Sequence, residues 1–293
     1  MADYNEQKRN TLDRITDQTV RINRSIIKQD LQRRANDILF QLNSGENFLQ
    51  DDDVKNLRAP MDDLFDRHAF VSVRSGISDG MLEVTPENEL GLWTYLPNKY
   101  EPNAMLDNMR PQLGRKRDKL AEEALKKIKK RKAITLVGLR NLFLKDYLSV
   151  LRAGYKDLAK DWLAGQGTIT DVQAMLTMVF SASTYDAKRI FRTETTNNFN
   201  EARADYFIDN TGMDYMQIFA ITDGRTSQIC EDRHKWVFPI EQARDRDKMP
   251  AFHPHCRTIQ RPLTSRLSSH RKMIDEGLAM NPSTFTPLPR GWA

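Results

Sequence analysis

The chain is poor in the features that anchor a protein in a membrane or cross-link it covalently. Of its 293 residues 39% are hydrophobic, and no apolar run approaches the roughly 18 residues that a membrane span needs. The first residues, Met1 to Glu6, lack the apolar stretch of a secretory signal, which predicts synthesis in a cytoplasm and no membrane partner. Only two cysteines are present, so a chain long enough for about two domains must fold without a disulfide network.

A large excess of one charge is also missing. The 45 Lys and Arg residues against 40 Asp and Glu give a net charge of +5, which is too small to indicate nucleic-acid binding by itself. Ten of the basic residues lie between Arg115 and Lys132, against three acidic ones. This tract is either a solvated helix face with ion pairs such as Glu122–Lys126, or a surface for non-specific contact with double-stranded DNA. The DNA-contact interpretation involves Arg115, Lys116, Arg117, Lys126, Lys127, Lys129, Lys130, Arg131 and Lys132.

Apolar periodicity predicts long helices. Residues 12–42 show apolar side chains at helical spacing on an otherwise polar stretch that ends at Gly45. The apolar stripe is narrow and includes Ile15, Ile22 and Ile26, so we expect this helix to dock on a partner surface or on another helix. Further helices are predicted at 117–164, 170–181 and 183–210, the last two opened by capping signals.

Short strands are predicted from composition. They lie at 70–73, 81–84, 215–221 and 235–238, and the first two form a possible hairpin. The predicted fold class is therefore α+β and predominantly α-helical, with long helices packed on a small β-hairpin and loop unit that carries a Cys/His cluster. Five segments are predicted: an N-terminal docking helix at 1–45, a small mixed α/β region or insertion at 46–112, a basic helical region at 113–167, a core at 168–263 and an extended C-terminal tail at 264–293.

The Cys/His cluster is the one concentration of chemistry in the chain. Cys230 and His234 are followed by His253, His255 and Cys256. Zinc needs about four nitrogen or sulfur ligands, usually as two short-spaced pairs joined by a loop, and these residues would supply them. Three interpretations stay open: a structural metal site, a Cys230–Cys256 disulfide, or ordinary packing of buried thiols and hydrogen-bonded histidines.

An enzyme is not expected from these residues, and none is assigned a catalytic role. A metal-dependent nuclease could use His253 and His255 beside Asp232, but such sites usually lie on a hairpin followed by a helix. Pro262 follows Cys256 too closely for that helix. A zinc-stabilised DNA-binding protein is the other alternative.

The order of the motifs resembles a known family. Its parts are Asp223-Gly224-Arg225-Thr226 with Cys230, then Lys235-Trp236-Val237-Phe238, then His253-Pro254-His255-Cys256-Arg257. This order is similar to that of the phage Mu protein F-like minor head proteins, also called head morphogenesis proteins, and it covers about 170–262. The family's preceding helix carries a Thr-Glu pair, similar to Arg192-Thr193-Glu194 here. Arg192 and Glu194 therefore join Asp223, Arg225, Thr226 and Arg257 as motif residues.

The resemblance implies a minor capsid protein of a tailed bacteriophage. Such a protein would bind the portal protein and the major capsid protein inside the capsid, after assembly in the host cytoplasm. It would act in head assembly, with DNA packaging or ejection as a further role. Two positions depart from the family pattern: His255 stands where Asn is usual, and Thr258 stands where a final Cys is usual. If that Cys is a metal ligand in relatives, His255 or His234 has to replace it here.

Overall fold

The computed structural model describes residues 4–44, 54–84, 101–109, 111–131 and 136–289. It confirms the predicted class, because helices dominate and the strands form one small antiparallel sheet. The helices are α1 (Tyr4–Ser44), α2 (Lys55–Glu83), α3 (Pro102–Met109), α4 (Pro111–Arg131), α5 (Leu136–Leu163), α6 (Ile169–Asn210), α7 (Gln228–Arg233) and α8 (Ser268–Leu278). The strands are β1 (Tyr215–Phe219), β2 (Val237–Pro239) and β3 (Ile259–Leu263). None of the helices in these stretches is both long and apolar enough to cross a membrane.

The sheet has the order β2-β1-β3, and both neighbours run antiparallel to β1. Tyr215 is opposite Pro239 on one side, and Phe219 is opposite Ile259 on the other. Strands β1 and β2 lie close to the predicted 215–221 and 235–238. Strand β3 was not predicted, since it contains Pro262, which lacks a backbone N–H. An edge strand tolerates that loss.

Helix α6 begins with a reciprocal cap. The carboxylate of Asp171 accepts from the backbone N–H of Thr168 at 2.8 Å, and the Thr168 hydroxyl accepts from the N–H of Asp171 at 3.3 Å. The predicted break into two helices near 182 is wrong, because α6 is continuous. Ser183, expected to cap a second helix, donates its hydroxyl to the carbonyl of Val179 inside the helix instead.

The strands predicted at 70–73 and 81–84, and with them the mixed α/β region, are also wrong where the structure describes this stretch, because α2 runs through it. The small residues that suggested a turn are packing positions. Gly76 lies against the carbonyl of Phe199 on α6, where a larger residue would have no room. Ser72 donates to the carbonyl of His68 one turn earlier.

Two compact units divide the chain. One comprises Met1–Ile15, His68–Arg131 and Arg192–Ala293, and the other comprises Thr16–Arg67 and Lys132–Phe191. Helices α1, α2 and α6 each contribute residues to both units. Neither unit coincides with one of the five predicted segments, since both are assembled from separate stretches.

The apolar stripe of α1 is used inside the chain. Leu12 is 1% exposed and packs with Phe199 and Ile259. Ile15 is also buried, whereas Ile22 is 44% exposed. Leu12 and Ile15 therefore pack inside the chain, in agreement with the prediction of docking on another helix, whereas Ile22 stays exposed and Ile26 is half-buried.

The C-terminal segment differs from the predicted extended tail, because α8 lies within it. Ile274 of α8 is buried with Val237 and Leu263 of the sheet. Gly277 lets the helix approach Val237 closely, since a Cβ at this position would collide with the Val237 side chain.

Candidate metal centre

Three of the five predicted ligands meet in the first unit. Cys230 lies in α7, whose N-cap is Ser227, and His253 and Cys256 lie in the loop before β3. The ligand atoms of Cys230, His253 and Cys256 all lie within 4.8 Å of one another, so the group could hold a metal ion. Both cysteines are buried and carry free thiols.

The separation of the two sulfur atoms in this group is compatible with a bound metal ion. The two sulfur atoms are 3.7 Å apart. Two sulfurs that each bind a tetrahedral zinc at about 2.3 Å lie about 3.8 Å apart. A disulfide would bring them to about 2.05 Å. The Nε2 atom of His253 is 3.0 Å from the sulfur of Cys230 and would have to move outward by about 0.5 Å to make room for the ion.

The imidazole of His253 is oriented by its other nitrogen. Nδ1 lies 2.7 Å from the carbonyl oxygen of Pro254, which can only accept, so Nδ1 carries the proton. In the neutral ring the lone pair of Nε2 then lies on the side of Cys230, whose sulfur is 3.0 Å away. Metal-binding histidines commonly have this arrangement, in which the remote N–H donates to a backbone carbonyl. The hydroxyl of Ser227 lies 2.7 Å from the same Nε2 atom, next to the position of a fourth ligand.

The two thiols have opposite protonation preferences. Hydrogen bonding with Cys256, together with burial, raises the pKa of Cys230. Burial opposes ionisation of Cys256, but hydrogen bonds with Cys230 and His253 outweigh it and hold the pKa of Cys256 well below its usual value. Burial would lower the pKa of His253, and hydrogen bonding with Cys256 more than reverses this effect. The group therefore favours one thiolate, which is the form that binds metals.

A polar face of α6 holds the loop in place. The Thr196 hydroxyl donates to the carbonyl of Cys256 at 2.7 Å, and the Thr193 hydroxyl accepts from the N–H of His255 at 3.2 Å. The side-chain oxygen of Asn197 accepts from the N–H of Ala251 at 2.8 Å. Thr193 belongs to the Thr-Glu pair of the resemblance and Asn197 to the asparagines that follow that pair, whereas Thr196 was not predicted to lie at the site. Their spacing, which puts polar side chains on one side of a helix, was the available signal.

The other two predicted ligands lie apart from the group. Nδ1 of His234 accepts from the N–H of Ala220 at 3.2 Å, and its ring packs 5.1 Å from that of Phe219. Burial lowers the pKa of His234. His255 has φ 62°, a left-handed conformation, and its backbone is bound to Thr193. The structure thus places neither histidine with Cys230, His253 and Cys256.

The motif residues Asp223 and Arg257 form a two-point ion pair. The guanidinium donates to the two carboxylate oxygens at 2.8 and 2.6 Å. Hydrogen bonds from Arg257 and from the backbone of Arg225 hold the pKa of Asp223 well below its usual range. Thr226 closes the turn, since its hydroxyl accepts from the N–H of Asp223 at 2.9 Å and donates to the carbonyl of Ile221.

The remaining motif residues lie on α6. Arg192 forms an ion pair with Asp13 of α1, which the sequence had not linked to the motif. Glu194 is buried, and its carboxylate is 3.5 Å from the side-chain nitrogen of Asn197. Asp232, considered for a nuclease site, instead accepts from the backbone and hydroxyl of Thr286.

The basic tract divides into one buried residue and an exposed face. Arg117 is 1% exposed and is paired with Asp107 and Asp118, both at 2.8 Å, so its predicted contact with DNA is wrong. Lys127 is paired with Asp209 at 3.0 Å on the surface. The side chain of Arg131 and all of Lys132 lie outside the described residues. The exposed basic side chains of the predicted set are those of Arg115, Lys116, Lys126, Lys127, Lys129 and Lys130.

Comparisons of the chain with known protein families, with curated proteins and with solved structures found no match. The described residues form a candidate metal centre of two cysteines and one histidine, next to the Asp223–Arg257 ion pair.

Proposed function

We propose that this chain is a non-enzymatic minor head protein of a tailed bacteriophage, which binds the portal and major capsid proteins inside the capsid. The observation that carries the proposal is the pairing of Asp223 with Arg257 at 2.8 and 2.6 Å. These residues belong to opposite ends of the motif that resembles the Mu F-like proteins. Their pairing gives a physical reason for the order and spacing of the motif, and so supports a shared local fold over a chance match.

Zinc is the metal that fits this proposal. Two cysteine sulfurs and one imidazole are ligands that zinc favours, and the sulfur separation of 3.7 Å suits a tetrahedral ion. Both cysteines are buried. Cys230, His253 and Cys256 would hold the ion, and Ser227 or a water would complete the set. The ion would fasten α7 to the loop before β3.

The zinc proposal is tested by elemental analysis of reduced protein purified without chelator. We expect about one equivalent of zinc per chain and a lower melting temperature after chelation. Cys256→Ser should lose the zinc and the response to chelator. His255→Asn is the matched control, because asparagine also tolerates a positive φ, and it should keep both. Zinc-free wild-type protein, or equal zinc in Cys256→Ser, would refute the assignment.

The role in the head is tested on particles from cells that carry the gene. Mass spectrometry of purified particles should find this polypeptide in a small number of copies, and cryo-EM should place it at the portal inside the capsid. Particles made without the gene should show defects in assembly, DNA packaging or ejection. Absence of the polypeptide from purified particles would refute the proposal.

A zinc-stabilised DNA-binding protein is the second candidate. The exposed basic face of α4 favours it, because such a face suits salt-dependent contact with phosphates. DNA binding by a protein that is absent from particles would select this function. A nuclease has less support, since the metal group found among the described residues contains no carboxylate.

A further inference from the structure

A groove lies between α1 and α6, within the unit formed by Thr16–Arg67 and Lys132–Phe191. It encloses about 540 Å³. Leu31 and Ala35 of α1 and Leu176 and Phe180 of α6 give it an apolar lining. These side chains are buried or half-buried, so the groove is shaped by residues that the fold itself holds in place.

The rim of the groove is basic. Arg24 and Lys28 are exposed and lie one turn apart on α1. The guanidinium of Arg24 is held 5.4 Å from the centre of the Phe180 ring, above the apolar lining. Of the described residues that line the groove, none is acidic. The cations therefore face a space that a carboxylate from another molecule would fill.

The α1 side of the groove is long enough for a short helix. Arg24, Lys28, Leu31 and Ala35 follow one side of α1 over twelve residues, a distance of about 16 Å or three helical turns. Helix-in-groove recognition places apolar side chains at i, i+3 or i+4 and i+7 into such a lining. We infer that this groove binds an acidic amphipathic helix of a partner protein, with its carboxylates at Arg24 and Lys28. The inference rests on the proposed function and specifies the chemistry of the partner.

The test uses the full-length chain and a display library of random peptides of about 15 residues. Peptides are selected on the wild-type protein after removal of those that bind Ala35→Trp, in which the groove is filled. We expect the enriched peptides to carry apolar residues at helical spacing and a net negative charge. Their affinity should fall about tenfold or more in Arg24→Glu/Lys28→Glu. It should be unchanged in Lys145→Glu, which reverses an exposed charge on α5.

Several results would overturn the inference. One is that no selected peptide binds the wild type more tightly than Ala35→Trp. Another is that the enriched peptides are neutral or basic. Dimerisation of the wild type that Ala35→Trp abolishes would identify a second copy as the occupant. Binding of decanoate alone would identify a small anionic amphiphile. None of these assays involves particles, so they can fail while the role in the head stands.

Discussion

Truncation of Leu12 in α1 tests the fold, because Leu12 lies in the core of the first unit and not on a free surface. Leu12 is 1% exposed and packs with Phe199, which is fully buried, and Ile259, which is 3% exposed. Leu12→Ala should leave a cavity that its neighbours cannot close, since Ile259 is fixed by pairing of β3 with β1. Such truncations cost about 2–5 kcal/mol. We expect about 3–4 kcal/mol here, a large share of a typical stability of about 5–15 kcal/mol.

The measurement is the free energy of unfolding in urea, followed by circular dichroism and tryptophan fluorescence. Ile22→Ala is the matched control, because it removes the same kind of side chain from the same helix at a position that is 44% exposed. Its cost should stay below about 1 kcal/mol. Equal shifts in the two variants would contradict the packing of α1 described above.

Two further predictions concern charge. Because hydrogen bonds from Arg257 and the Arg225 backbone lower the pKa of Asp223, its contribution to stability is present above the ordinary aspartate pKa of about 3.9 and is lost as pH falls towards the folded value. The melting temperature of wild type should therefore exceed that of Asp223→Asn at pH 7, and the difference should become smaller below about pH 4. A difference that does not change with pH would show that the ion pair does not cause it. DNA binding by the exposed face of α4 should be weak, non-specific and steeply reduced by salt, as a gel-shift assay can show. The test variant changes four lysines to Glu: Lys126, Lys127, Lys129 and Lys130. An unchanged gel shift in this variant would mean that the face is a solvated surface and does not bind DNA.

Of the five residues predicted as metal ligands, three form the candidate group, and the two that do not are His234 and His255. Spacing brought Cys230, His253 and Cys256 together, but spacing carries no information on where a side chain points. His255 has a left-handed backbone and does not belong to the group, and His234 follows the short helix α7 and packs on another ring. These orientations depend on tertiary contacts that periodicity does not show.

Errors elsewhere have similar physical causes. Gly76 belongs to a stretch of small residues that is typical of turns, yet small residues also let two helices approach closely. Arg117 was counted as a surface charge, although it shares a helical stripe with Ala121, Ala124 and Ile128, which are buried. That spacing was visible in the sequence. The spacing does not show that the carboxylates of Asp107 and Asp118 pair with Arg117 and so allow it to be buried.

The way the two units share α1, α2 and α6 determines when each can form during synthesis. The unit of Thr16–Arg67 and Lys132–Phe191 has all its residues once Phe191 has left the ribosome. The other unit begins at Met1 but also needs the residues from Arg192 onward. Leu12 therefore cannot be buried until Phe199 and then Ile259 have been synthesised. During that interval Leu12 and Ile15 lie in an otherwise polar segment and lack the core residues that bury them.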